Sequence, residues 1–179
     1  MIEQPRLPQL GIDTVPPLTK PYLDSSVFLA HIKKESNLCP GGLTRYEITQ
    51  GIFHDAKDGK FKIYTSTITI AEVRRLKEAN KQLTLDERKE INSLFREYME
   101  HEWIYPIEVN REIAEKAQEL GATYSIWPMD AIHVASAIWW QCNTLLVWDK
   151  RTLFNKIPNG QIEGVRICEP YWEGTTKIA

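Results

Sequence analysis

Residues 128–149 read PMDAIHVASAIWWQCNTLLVWD, and this stretch decides the fold. Met129 to Gln141 reads as a helix with Asp130 in its opening turn. TLLVW, residues 144–148, reads as a buried strand, and Asp149 ends it. Helix, then buried strand, then acid is the repeating unit expected of a parallel sheet whose crossovers are helical.

Working outward, the same alternation continues in both directions. Tyr22-Leu23 runs into Asp24 as a short strand, and SSVFLAHIKKE follows as a helix with Ser25 or Ser26 as N-cap. Asn37 to Gly42 is a loop. A second helix runs from about Thr44 to Ala56, with Ile48, Ile52 and Phe53 on one side. After a turn at Lys57 to Lys60, FKIYTSTIT is rich in β-branched and aromatic residues and reads as a strand. Ile70 to Asn80 is helical. TLDERKEINSLFREYM is a helix opened by a capping box, with Thr84 as N-cap and Glu87 three residues on. WIYPIEV is a strand, Asn110 caps the helix REIAEKAQELGATY, and GVRIC is the last strand. The expected fold is α/β, a mainly parallel sheet covered on both faces. Residues 1–20 carry Pro5, Pro8, Pro16 and Pro17 with little periodicity, which predicts an extended N-terminal arm ahead of one domain at 21–179.

Composition narrows the function. The 179 residues suffice for one domain with a sizeable core. A formal net charge of -2 argues against a protein that coats nucleic acid, yet leaves room for an enzyme that holds RNA locally. Cys39, Cys142 and Cys168 are odd in number and widely spaced, so neither a disulfide framework nor a zinc site is expected. The start MIEQPRLPQL has neither the basic nor the apolar stretch of a secretory signal. The longest apolar run, IHVASAIWW from Ile132, is too short to span a bilayer. The expected location is the cytoplasm, without a membrane partner.

Four acids stand at corresponding places in this pattern. Asp24 and Asp149 end strands. Asp130 opens a helix, and Glu72 lies one turn inside the helix after FKIYTSTIT. In open α/β sheets the ligand crevice lies at the carboxyl ends of the strands, so four remote segments are expected to converge there. Taken singly, each acid has an ordinary explanation as a cap, a turn residue or a solvated charge. Taken together, they repel one another and raise each other's pKa unless a hard divalent cation joins them. Such an ion activates water and stabilises charge on a phosphate, and helix N-termini at Asp130 and near Glu72 moderate the repulsion.

With those residues in place, the chain resembles the PIN domain family, in particular its VapC-like toxin branch, from Pro21 to Pro170. YLDSSVFLA, TSTITIAEV, PMDAIHVASAI and LLVWDKRTLF match its four motifs in order. The resemblance implies a PIN-like three-layer α/β/α fold and a ribonuclease. In it Asp24, Glu72, Asp130 and Asp149 are catalytic and bind Mg²⁺ or Mn²⁺, and Ser26 hydrogen-bonds within the acid cluster. It further implies an RNA substrate, a homodimer and a small antitoxin protein as partner. The chain departs from the family at Val147, where a Thr or Ser often stands two residues before the last acid, and in its proline-rich arm.

His133, one turn after Asp130, is expected to make a structural hydrogen bond beneath the site, with metal ligation or proton transfer as alternatives. Arg74, Arg75 and Lys150 flank the acid motifs and are candidates for holding RNA phosphates, whereas Lys33-Lys34 read as solvated. Trp127, Trp139, Trp140 and Trp148 suit a core or dimer face better than base stacking. The rival functions are a non-catalytic RNA-binding or assembly module, a haloacid-dehalogenase-type phosphotransferase and a structure-specific DNA nuclease. The phosphotransferase wants a second Asp where Ser26 stands, and the DNA nuclease wants helical arches absent from so short a chain.

Overall fold

The computed structural model describes residues 17–73, 84–148 and 153–172. Its sheet is assembled from strands separated by helices. They are β1 (Pro21–Leu23), α1 (Ser25–Ile32), α2 (Arg45–Lys57), β2 (Ile63–Ser66), α3 (Ile68–Glu72), α4 (Leu85–Met99) and β3 (Ile104–Ile107). Then come α5 (Arg111–Tyr124), α6 (Pro128–Trp139), β4 (Thr144–Leu146), β5 (Gln161–Ile162) and β6 (Val165–Cys168). The strand order is β3-β2-β1-β4-β6-β5. Every pairing is parallel except β5 with β6.

This is a three-layer α/β/α arrangement because successive residues of a strand face opposite ways. In β1, Tyr22 joins the core under α5 and α6, with Ile113, Leu120, Val134 and Leu145. Its neighbour Leu23 joins the opposite core under α1, α2 and α4, with Phe28, Ile52, Phe95 and Leu146. Burial on both faces explains why TLL and YL are continuously apolar or aromatic rather than alternating.

Local signals set most helix starts. Thr44–Glu47 and Thr84–Glu87 form complete capping boxes, and the Asn110 side chain accepts from Ile113 N at 2.9 Å. Pro128, which lacks an N–H, occupies the first turn of α6, where no donor is needed.

Three expectations need correction, and the expected last strand gains a partner. The N-cap of α1 is Asp24, whose Oδ1 accepts from Ser26 N at 2.7 Å, and both serines are helical. A carboxylate there also complements the helix dipole. The strand in FKIYTSTIT stops at Ser66, and helix begins at Ile68 rather than Ile70. Hydroxyls override β propensity here. Ser66 Oγ accepts from Ile68 N at 3.3 Å, and Thr69 pairs with Thr65, which itself donates to Leu23 O. In TLLVW the strand ends at Leu146: Val147 N still donates to Cys168 O of β6, but Trp148 N donates to the Ser26 hydroxyl rather than to a strand carbonyl. Finally, GVRIC is one arm of a hairpin. Glu163 and Gly164, at φ 44 and 86, turn β5 into β6, the backbone that a two-residue hairpin turn demands.

The sheet's two borders are short of donors. On β3, Trp103 O and Ile107 O accept from the β2 side. The outward-facing positions are therefore Ile104, whose N–H is taken by His101 O, and Pro106, which has none. At the other border β5 is two residues long. Before β1, Asn143 Oδ1 accepts from Lys20 N at 2.8 Å, and Asn143 Nδ2 donates to Pro17 O at 3.4 Å. The last residues of the proline-rich segment thus lie against the turn before β4. Residues 1–16 are outside the described part.

Candidate functional site

β1 is the central switch of the sheet. From it the chain winds one way to β2 and β3, and the other way to β4 and β6. A crevice opens where the winding direction changes, beyond the carboxyl ends of β1 and β4. Asp24 follows directly on β1, and its N–H donates to Leu146 O at 3.1 Å, the last residue of β4. The residue is buried, with its side chain 9% exposed. One of its oxygens is committed to Ser26 N, and the other lies 3.5 Å from His133 Nε2.

Glu72 is the last residue of α3, half-buried beside Asp24. Because α3 starts two residues earlier than expected, Glu72 sits at its fifth position, past the turn where the helix dipole acts most strongly. Support comes instead from α6. His133 Nε2 lies 2.7 Å from Glu72 Oε2, and Tyr22 Oη lies 2.7 Å from His133 Nδ1. Both rings are fully buried, at 0% exposure. Sequence reasoning anticipated the hydrogen bond beneath the site from His133 but missed Tyr22. The available signal was a phenol in a strand buried on both faces, since a buried tyrosine needs a partner for its hydroxyl.

Asp24, Glu72 and His133 each bring one ligand-type atom within 4.8 Å of the others. Among the described residues this is the one such group. Burial opposes charge on His133. The hydrogen bond to Glu72, with the charges of Asp24, Glu72 and Asp130, more than offsets it and raises the ring's pKa above its ordinary value. Asp130, half-buried in the first turn of α6, is therefore near enough to act on the same ring.

Asp149, Arg74, Arg75 and Lys150 lie outside the described residues. The approach to Asp149 is described, however. Val147 N donates to Cys168 O at 3.1 Å, and Trp148 N donates to Ser26 Oγ at 3.0 Å. Ser26 thus ties the end of β4 to the residue that caps α1. The tryptophans divide. Trp148 is buried with the Arg45 guanidinium 4.7 Å from its ring centre, Trp140 packs on Tyr105, and Trp127 and Trp139 are exposed. No described helix is long and apolar enough to cross a membrane.

The chemistry of this donor set is oxygen-rich, negative and partly desolvated, which suits a small hard dication. Its one nitrogen toward the crevice is already engaged with Glu72.

Comparisons with known proteins agree with the fold. The family described as "PIN domain" matches residues 22–158. A toxin–antitoxin complex from Klebsiella pneumoniae superposes with a TM-score of 0.55 at 17% identity, covering 84% of this chain and 98% of that one. VapBC2 from Rickettsia felis, bound to a DNA fragment from its promoter, gives 0.56 at 16% identity, covering 83% and 97%. FitAcB from Neisseria gonorrhoeae gives 0.50 at 16% identity, covering 84% and 97%. No curated protein matches the sequence.

Proposed function

This chain belongs to the PIN domain family, and we propose that it is a divalent-metal-dependent endoribonuclease acting as the toxin of a type II toxin–antitoxin pair. The observation that carries the reading is the meeting of Asp24 and Glu72. They come from separate segments, lie partly desolvated at the switch of the sheet, and both face the buried ring nitrogen Nε2 of His133. A protein gains no stability from gathering carboxylates in this way; a bound cation gives the arrangement a purpose.

In this reading Asp24, Glu72, Asp130 and Asp149 hold Mg²⁺ or Mn²⁺. A bound ion of this kind supplies Lewis acidity toward phosphate and lowers the pKa of attacking water. The chain's own residues supply placement. Ser26 N fixes one oxygen of Asp24, His133 fixes one oxygen of Glu72, and Ser26 Oγ holds the backbone leading to Asp149. Arg74, Arg75 and Lys150 are proposed to hold RNA phosphates on either side of the scissile bond. The toxin assignment and an antitoxin partner are supported by the structural likeness to members of toxin–antitoxin complexes, and a homodimer is proposed with them.

The test is RNA cleavage with Mn²⁺ or Mg²⁺ by the native chain and by Asp130→Asn. Loss of cleavage in the variant, with folding intact, is the expected result. Equal activity in both removes the enzyme reading and leaves a non-catalytic RNA-binding or assembly module. The toxin assignment has its own test. A small DNA-binding protein encoded directly upstream should suppress cleavage on mixing, and its absence would leave a nuclease without that role.

A further inference from the structure

We propose that Tyr22 and His133 are a buried positioning pair for the proposed metal site, in which the Nε2–H of His133 orients Glu72 and steadies Asp24 while the Tyr22 hydroxyl locks the ring. The inference rests on the metal-dependent reading above and assigns His133 a role other than ligand.

The geometry decides which role. His133 Nε2 and Glu72 Oε2 are 2.7 Å apart, a separation at which two lone pairs repel, so a hydrogen lies between them. A nitrogen that carries this hydrogen has no lone pair to offer a cation. The same N–H faces Asp24 Oδ2 at 3.5 Å, so one donor stands between two carboxylates and offsets part of their repulsion. It engages one oxygen of Glu72 and so fixes how that carboxylate is turned.

The ring cannot swing away easily. Its far nitrogen, Nδ1, is 2.7 Å from Tyr22 Oη, and the two rings meet nearly edge to face with centroids 5.7 Å apart. The Tyr22 hydroxyl thus holds the Nδ1 side of the ring, and Nε2 is left facing the two carboxylates. The chain of contacts runs from β1 through α6 to α3. Carboxylate–histidine pairs that orient metal ligands from behind change metal affinity by about 10–100-fold when removed.

The experiment uses the full chain and Mn²⁺ alone, titrated calorimetrically, with His133→Gln, His133→Leu and Tyr22→Phe. Glutamine presents an N–H near the place of Nε2, whereas leucine fills the space without one. His133→Gln should bind Mn²⁺ within about threefold of the native chain, and His133→Leu about 10–100-fold more weakly. Tyr22→Phe should fall between them. Nitrogen-15 spectra of the imidazole should show Nε2 protonated before and after Mg²⁺ is added. Native-like Mn²⁺ affinity in both His133→Leu and Tyr22→Phe reduces the pair to core structure and overturns the proposal. Loss of the Nε2 hydrogen on adding Mg²⁺ makes His133 a direct ligand, and overturns it too. If His133→Leu does not fold, His133→Gln against Tyr22→Phe decides by the same criterion. Failure of the native chain to bind Mn²⁺ at all removes the nuclease reading itself, an outcome distinct from unchanged binding across the variants.

Discussion

The backbone N–H of Trp148 donates to the hydroxyl of Ser26 at 3.0 Å. This bond ties the backbone just ahead of Asp149 to the first turn of α1, beside Val147, which has no hydroxyl of its own. Ser26→Ala leaves a buried N–H without its partner, which costs about 1–3 kcal/mol. Urea unfolding should show that loss, and Mn²⁺ affinity should fall with it. Unchanged stability and unchanged Mn²⁺ binding together would show that the tie is dispensable.

Asp130→Asn removes one negative charge from the neighbourhood of Asp24, Glu72 and His133. In chelator it should raise the melting temperature, because carboxylate repulsion is relieved. With Mg²⁺ the advantage should shrink. Thermal unfolding of both proteins in each buffer checks this, and a variant less stable in chelator counts against a crowded acid site.

Gly51 lies in α2 directly beneath the Trp172 indole, which also donates to Asp55 Oδ2 at 2.9 Å. A Cβ at position 51 would sit 2.3 Å from the ring. Glycine to alanine inside a helix ordinarily gains about 0.5–1 kcal/mol, but overpacking costs about 1–3 kcal/mol, so clash wins. Gly51→Ala should lower stability by roughly 1 kcal/mol or more on these figures, and Gly51→Ala with Trp172→Ala should recover the helix gain. A stabilised single variant would mean that the indole moves aside freely.

His31 is enclosed by the rings of Tyr46, Phe53 and Tyr98. Burial, assisted by Lys34, holds its pKa down to about 4 from 6.5. The unfolded chain therefore binds a proton between these values that the folded chain does not. The resulting stability is present above pH 6.5 and is lost as pH falls toward 4. Relative to His31→Phe, the native chain should lose more stability between pH 7 and pH 4.5 in urea unfolding. Parallel curves for the two proteins would refute the assignment.

The fold was legible where its information is local. Thr84 and Glu87 announce a helix three residues apart, and Leu145-Leu146 announces a buried strand by composition alone. The meeting of Asp24 with Glu72 was legible for a topological reason, because parallel strands put their carboxyl ends at one edge. Contacts that depend on side-chain reach were not. Tyr22 meets His133 across 111 positions and Glu72 meets His133 across 61, and no pattern along the chain encodes such pairs. The β5 hairpin was missed because a strand of two residues has no periodicity. The early start of α3 was missed because the Ser66 hydroxyl in TSTIT accepts a helix-start N–H while the threonines around it look like strand formers.

The donor-poor borders of the sheet govern how copies of this chain meet. With the outward side of β3 carrying Pro106 and an Ile104 amide already spent on His101, and with β5 too brief to template a neighbour, extending the ladder from one molecule into the next is unfavourable. In the proposed homodimer these described borders therefore do not supply the contact. That leaves the pleated core out of any subunit exchange and lets two molecules part without breaking a strand pairing.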